Sequence, residues 1–395
     1  MALRYLALAL LAAAPMPAMG QQGAPAKTCA AQNPFVGPSY KSVEVRADKT
    51  VTFRLCAPDA KEVRLTSPDL YNIVPQGFGP GAESGLAMTR DAIGLWAITT
   101  PKPVPADTYR YDFRVDGVSV PDPQTDRYVH DRAGVHSLME VPGPEGAFQA
   151  YDPRIPHGVV SEVDYWSNSL GTLRRAFVYT PPGYMTGTAR FPVLYLVHGA
   201  GDSEEAWSRT GHANLILDNL IAAGKAKPMI VVMPNGHTPD REGADILNNQ
   251  DFGDDLLKDL LPYVERHFRT IDTADARAMA GLSMGGVHTF NFGLTHPELF
   301  HSIGIFSSGL GVGGDGGAIA TYEHSHDTAL KRDAKELKLV YYAIGSDDPF
   351  AGVLPATRAM FDKYGIEYRF HQSDGGHTWI NWRRYLNEFA PLLFR

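Results

Sequence analysis

Short stretches of alternating apolar and polar residues crowd the first part of the chain, and unbroken apolar runs replace them further on. Between Tyr40 and Glu140 the alternating stretches are 42–46, 51–57, 62–66, 95–100 and 109–115, separated at short intervals by Pro, Gly and Asp. A period of two sends successive side chains to opposite faces. Each stretch therefore reads as a strand with one buried face, and their close spacing predicts a β-sandwich. Asp116-Gly117 joins Val115 to Val118, and an Asp-Gly pair tolerates the positive φ angles of a type I′ hairpin turn.

From Gly158 onward the pattern changes. Residues 159–165 and 172–180 are strand candidates closed by the turn Pro181-Pro182-Gly183-Tyr184. Residues 193–197, 276–282 and 338–344 are short apolar runs of the kind a strand buried on both faces shows, and 367–372 is a further candidate. Helical stretches follow two of these, at 284–294 and 379–394, the second placing Trp382, Tyr385, Leu386 and Phe389 on one face. Strands alternating with helices predict an α/β domain with a mostly parallel sheet covered on both faces. The chain thus divides into 40–141, an all-β sandwich; 142–157, a semi-rigid connector with Pro142, Pro144, Pro153 and Pro156; and 158–395, the α/β domain. No internal repeat is visible.

Residues 1–20 belong to neither domain. A short basic start at Arg4, an apolar run over 5–14 and the small residues Ala18-Met19-Gly20 read as a secretory signal peptide, the run being too short to span a bilayer. Residues 21–39 form a leader, and no Cys directly follows the apolar run, so a lipoprotein anchor is not supported. The expected location is secreted or periplasmic. Cys29 and Cys56 are the two cysteines of the chain, and an oxidising compartment permits a bridge between them or two unpaired thiols. With 395 residues, a formal net charge of −8 and no basic cluster, neither nucleic acid nor an anionic membrane surface is a natural partner.

The densest chemical signal is Ala280-Gly281-Leu282-Ser283-Met284-Gly285-Gly286. A serine at a sharp strand-to-helix turn needs small neighbours two residues to either side, and here a strand precedes the motif and a helix follows it. This is the nucleophile elbow of an α/β-hydrolase. The order serine, acid, histidine of that fold continues downstream. The strand over 338–344 runs into Gly345-Ser346-Asp347-Asp348-Pro349, and the strand over 367–372 into Asp374-Gly375-Gly376-His377. His377 is the expected general base for Ser283, with an aspartate fixing its tautomer. The oxyanion donors are expected at the backbone N–H of Met284 and, in His198-Gly199-Ala200-Gly201, of Ala200. His198 itself reads as a support for that loop, because His377 already holds the histidine's place in the order. Such a mechanism calls for no cofactor and no metal.

Tyr195–Trp207, 214–221, Lys227–His237 and 254–259 resemble carbohydrate esterase family 1, the feruloyl and acetylxylan esterases of the wider esterase D group, from about Tyr179 to the C-terminus. The resemblance implies Ser283, Asp348 and His377 as the triad. The acid is placed at Asp348 rather than Asp347 because, in related chains, it lies three residues past the strand-ending glycine. It also implies a hemicellulose-borne acyl ester as substrate, feruloyl before acetyl, with enterochelin-type esterases and a non-catalytic glycan-binding protein as alternatives. Residues 51–58 and 116–123 resemble the immunoglobulin-like early-set domain related to carbohydrate-binding family 48. Trp96, Tyr109, Tyr111 and Tyr128 could then stack on sugar, but alternating aromatics in a small sandwich are first of all core. The module is expected to shape one wall of the esterase cleft. Trp207 and Trp379 are candidate substrate contacts, and Trp382 is expected in the core. Glu323-His324-Ser325-His326-Asp327 has metal-ligand residue types but reads as a solvated loop.

Overall fold

The computed structural model describes residue 29 and residues 40–77, 83–240, 249–309 and 317–395. The signal peptide expected over 1–20 and the leader over 21–39, Cys29 excepted, lie outside these residues. Among the described residues the first domain has ten strands: β1 (Val43–Val45), β2 (Val51–Cys56), β3 (Val63–Thr66), β4 (Leu86–Ala87), β5 (Thr89–Arg90), β6 (Leu95–Thr99), β7 (Asp107–Val115), β8 (Val118–Val120), β9 (Tyr128–His130) and β10 (Val135–Val141). They form one sheet in the order β1-β2-β6-β5 and another in the order β4-β3-β7-β10-β9, with β8 paired to β7. Val51, Phe53 and Leu55 of one sheet meet Tyr109, Tyr111 and Phe113 of the other in a closed core. The turn between β7 and β8 has Asp116 at φ 47° and Gly117 at φ 89°, the left-handed pair a type I′ hairpin requires. Cys29 and Cys56 are joined by a disulfide, their Cα atoms 5.5 Å apart.

β7 departs from simple alternation. Its odd-numbered aromatics fill the sandwich core, yet Thr108, Arg110 and Asp112 on the opposite face are buried as well. The second domain covers that face: Arg383 donates to the Thr108 carbonyl (3.0 Å) and Arg110 to Asp202 (2.9 Å). The connector is docked too. A 3-10 helix, Pro144–Gln149, lies in it, and Asn219 Nδ2 donates to the carbonyls of Phe148 and Ala150 at 3.0 Å each.

The second domain is built on an eight-stranded sheet in the order β11-β12-β14-β13-β15-β16-β17-β18, with β11 (Val159–Ser167), β12 (Thr172–Thr180), β13 (Val193–Val197), β14 (Ile230–Pro234), β15 (Arg277–Leu282), β16 (Ser302–Phe306), β17 (Leu339–Gly345) and β18 (Arg369–Ser373). β11 and β12 are antiparallel to their neighbours and the other pairings are parallel. β13 to β17 are buried almost throughout, which is why they read as continuous apolar runs. Tyr195, Val197 and Tyr342 face one helical layer with Phe290 and Phe361; Leu194, Leu196 and Leu282 face the other with Phe306, Trp382 and Phe389.

The helix after β15 runs as Met284–His288 and continues with the wider π turn over Thr289–Leu294. Residues 323–327, expected as a solvated loop, lie instead within the helix Gly317–Glu336. Tyr322 and Leu330 anchor it: both are buried, and the Tyr322 hydroxyl donates to the Phe290 carbonyl (2.7 Å). Its other face is polar enough to pass for a loop in the sequence. No cluster of three or more metal-ligating side chains occurs among the described residues, and no helix there is long and apolar enough to cross a membrane.

Candidate active site

The six parallel strands β13 to β18 end at one edge of the sheet, and the loops after β13, β15, β17 and β18 carry the expected site residues there. Since β13 and β15 are neighbours with connections running to opposite sides, this is the edge where ligands bind in open α/β sheets. Ser283 follows β15 at φ 53° and ψ −117°, a strained conformation for a residue with a Cβ. Its N–H donates to the Phe306 carbonyl (2.9 Å), tying the elbow to β16. The flanking glycines are required by close approach. A Cβ on Gly281 would lie 2.3 Å from the Gly285 carbonyl group, and one on Gly285 would lie 2.4 Å from the Val197 carbonyl oxygen.

The loops after β17 and β18 bring Asp348 and His377 together. His377 Nδ1 lies 3.0 Å from Asp348 Oδ2 and 3.2 Å from Oδ1. Asp348 is buried, and the Phe350 N–H donates to its Oδ1 (3.0 Å). With Nδ1–H directed at a carboxylate, the neutral imidazole carries its lone pair on Nε2. Asp347 is exposed and serves through its backbone, its N–H donating to the Gly375 carbonyl (2.9 Å). Sequence reasoning missed two supports of the histidine. Asn381 Nδ2 donates to the carbonyls of Asp374 (3.1 Å) and Gly376 (2.9 Å), fixing the loop, and the Phe350 ring meets the imidazole edge-on at 4.9 Å.

Two of the tryptophans require a correction, while Trp382 is buried in the core as expected. Trp207 and Trp379 are each 1% exposed, so neither presents a surface to a ligand. Trp207 Nε1 donates to the Val197 carbonyl (3.1 Å), and its ring packs edge-on against Trp379 at 5.1 Å. Trp379 meets Trp382 at 5.2 Å, and Trp382 meets His377 at 4.9 Å. The indoles form a ladder supporting the histidine from within the core. In the sandwich, Trp96, Tyr109 and Tyr111 are buried and Tyr128 is exposed.

The loop after β13 is held by buried imidazoles. Gly199 O accepts from His198 Nδ1 (2.8 Å) and from the Asp202 N–H (3.1 Å). C=O and N–H point opposite ways in a trans peptide, so the Ala200 N–H is turned away from His198. His198 Nε2 accepts from the Gly236 N–H (2.9 Å), and His288 Nε2 donates to the carbonyl of the same Gly236 (3.1 Å). Burial pushes His198 down to about 4 and His288 to about 3, so both are neutral and both act as fixed hydrogen-bonding parts. The Ser283 carbonyl accepts from the Val287 N–H (3.1 Å), which leaves the Met284 N–H at the open N-terminal end of its helix. A Cβ on Gly199 would lie 3.5 Å from that of Ser283, so the two loops abut.

The sandwich reaches the same edge. Arg132 Nη1 lies 3.1 Å from His237 Nδ1. Tyr71, half exposed, is pushed up to about 12 by burial, with the carboxylates of Asp69, Asp202 and Asp348 adding to the effect. Neither residue carries a signal in the sequence.

An α/β-hydrolase sheet with these groups at its carboxyl edge defines the class, a carboxylic ester hydrolase. Residues 167–393, more than half of the chain, match the esterase family described as "Putative esterase", and the chain belongs to that family. It is 34% identical over 370 residues to an endo-1,4-beta-xylanase/feruloyl esterase of Xylanibacter ruminicola, an alignment covering 92% of this chain and 47% of that protein. The chain spans about half the length of the curated relatives it matches. Among solved structures it is similar to a ferulic acid esterase (26% identity, TM-score 0.53, 60% of this chain and 98% of that one). It shares its fold with the enterobactin esterase of Shigella flexneri (20% identity, TM-score 0.62, 90% and 96%).

Proposed function

We propose that this chain is a secreted or periplasmic serine esterase of the carbohydrate esterase family 1 type, acting on feruloyl esters of hemicellulose. The observation that carries the reading is the pairing of His377 with the buried Asp348, 3.0 Å apart, on the same sheet edge as the strained Ser283. Ser283 Oγ attacks the ester carbonyl while His377 Nε2 takes its proton. The negative oxygen that forms is met by the N–H groups of Met284 and Ala200. Collapse of the tetrahedral intermediate breaks the bond to the alcohol, which leaves with the proton from His377. Water then attacks the acyl-enzyme, giving its proton to His377, and the acid departs as Ser283 regains its hydrogen. Asp348 keeps the imidazole in the productive tautomer and stabilises the imidazolium. The relative named for xylanase and feruloyl esterase activities supports the ferulate choice, and the Cys29–Cys56 disulfide suits an oxidising compartment. The sandwich is read as an early-set module related to carbohydrate-binding family 48.

A second reading, a siderophore esterase, draws on the likeness to the enterobactin esterase structure, which extends over 90% of the chain. Parallel turnover of methyl ferulate, acetylated xylan and enterobactin separates the readings. Methyl ferulate is expected to be the preferred substrate, and Ser283→Ala is expected to be folded and inactive on all three. Preference for enterobactin overturns the ferulate reading, and turnover retained by Ser283→Ala overturns the nucleophile.

A further inference from the structure

Residues 199–201 are Gly-Ala-Gly, a stretch with no side chain long enough to anchor itself. The residues that follow are gripped by the β-sandwich. The Gly201 carbonyl accepts from the Arg132 N–H (3.1 Å). Asp202 Oδ1 accepts from Arg110 Nη1 (2.9 Å), and Ser203 Oγ donates to the His130 carbonyl (2.6 Å). Glu205 Oε1 takes both the N–H (2.7 Å) and Nδ1 (2.6 Å) of His130. Arg110, Asp202 and Glu205 are all buried. The grip continues to the turn itself: the Asp202 N–H donates to Gly199 O, and a Cβ on Gly199 would lie 3.3 Å from Asp202 Oδ2. Asp202 therefore fills the space between a sandwich arginine and the peptide that orients the Ala200 N–H.

We propose that the β-sandwich is a positioning element of the oxyanion hole: through Arg110, His130 and the Arg132 backbone it holds residues 201–205 and so aims the Ala200 N–H at the charge that develops during ester cleavage. The inference rests on the roles of Ser283 and Ala200 given under Proposed function. Oxyanion donors work because they are fixed before the charge forms, and small misplacements are costly. A module with this role acts on every ester, including those that carry no sugar. A module that only binds glycan acts on sugar-linked esters alone.

The test uses Asp202→Asn, Ser203→Ala and His130→Gln in the full chain. Arg110 keeps Asp69 at 2.8 Å when Asp202 is neutralised, so Asp202→Asn does not leave a bare buried charge. The expected result is a kcat on methyl ferulate lowered about 10-fold or more in Asp202→Asn and about 3-fold in the other two, with KM within about twofold of wild type. The same factors are expected on a feruloylated arabinoxylan oligosaccharide. The Ki of an arylboronic acid, which needs the hole for its tetrahedral adduct, should rise in proportion. Thermal unfolding checks that each variant is folded, and if Asp202→Asn is not, the other two decide. Wild-type kcat on methyl ferulate in the folded variants, or a loss confined to the oligosaccharide, overturns the proposal. Turnover retained by Ser283→Ala instead overturns the underlying serine mechanism, so the two failures are distinct.

Discussion

The Asp348 carboxylate is buried within reach of His377 Nδ1 and the Phe350 N–H, while the Asp347 carboxylate stands in solvent beside Ser346. Replacing Asp348 by Asn preserves the size of the side chain but offers His377 Nδ1 an N–H. The imidazole proton then moves to Nε2, where it blocks acceptance of the serine proton. Asp348→Asn is expected to lower kcat by about 10³–10⁴-fold, the scale of the corresponding change in a serine protease. Asp347→Asn is expected to stay within about twofold, because the contact it makes to the histidine loop uses its backbone N–H. Steady-state kinetics on methyl ferulate checks the ranking, and the reverse order moves the acid to Asp347.

The helix Trp379–Phe389 does three things with three consecutive residues. Asn381 fixes the histidine loop, Trp382 packs against His377, and Arg383 crosses to the sandwich. Arg383 is fully buried, bonded to Asp107 (2.6 Å) and to the carbonyls of Thr210 (2.6 Å) and Thr108 (3.0 Å). Asp107 is its direct carboxylate partner among the described residues, and removing that charge leaves the buried guanidinium with the more distant Asp69 alone to offset it. Asp107→Asn should therefore cost about 3–5 kcal/mol in urea unfolding, and Asp107→Asn with Arg383→Met should recover a large part of it. An unchanged midpoint in the single variant contradicts this account. These contacts also mark the limit of what the sequence makes legible. The elbow was readable because Gly281 and Gly285 answer a steric demand local to the turn. The strands 193–197 and 338–344 were readable because burial on both faces leaves only apolar residues. Thr108, Arg110 and Asp112 look like the wet face of an ordinary strand, and nothing nearby reveals that a second domain covers them. Trp379 misleads for a related reason, while Trp382 lies in the core as expected: distance along the chain from His377 does not say which way a helical residue faces. Trp379 points inward to Trp207, and Trp382 returns beneath the imidazole.

Across the whole molecule, buried and half-buried histidines of two opposite kinds make stability depend on pH from both sides. Burial pushes His198 and His212 down to about 4 and His288 to about 3, with Arg383 and Arg127 adding to the effect at His212. In the unfolded chain each takes a proton near pH ~6.5. As pH falls below that value the unfolded state binds protons that the folded state does not, and stability drops until the folded values are reached. His136 is the reverse case. Burial opposes its charge, but the carboxylates of Asp112 and Asp131 outweigh that and hold its pKa at about 9. Its contribution is complete below ~6.5 and is lost as pH rises toward the folded value, each unmatched proton weighing about 1.4 kcal/mol per pH unit. The thermal midpoint is therefore expected to peak near pH ~6.5 and to decline toward both pH 4 and pH 9. His136→Gln should flatten the alkaline limb and leave the acid limb in place. A midpoint that climbs steadily from pH 7 to 9 in the wild type contradicts the assignment. The alkaline loss carries a functional consequence, because Asp131 lies between His136 (2.7 Å) and Arg110 (3.7 Å), the residue that grips Asp202. Deprotonating His136 leaves Asp112 and Asp131 facing each other without a cation between them. The strain falls on the network that holds the sandwich to the loop after β13, so kcat on a small ester should decline over the same pH range as the midpoint.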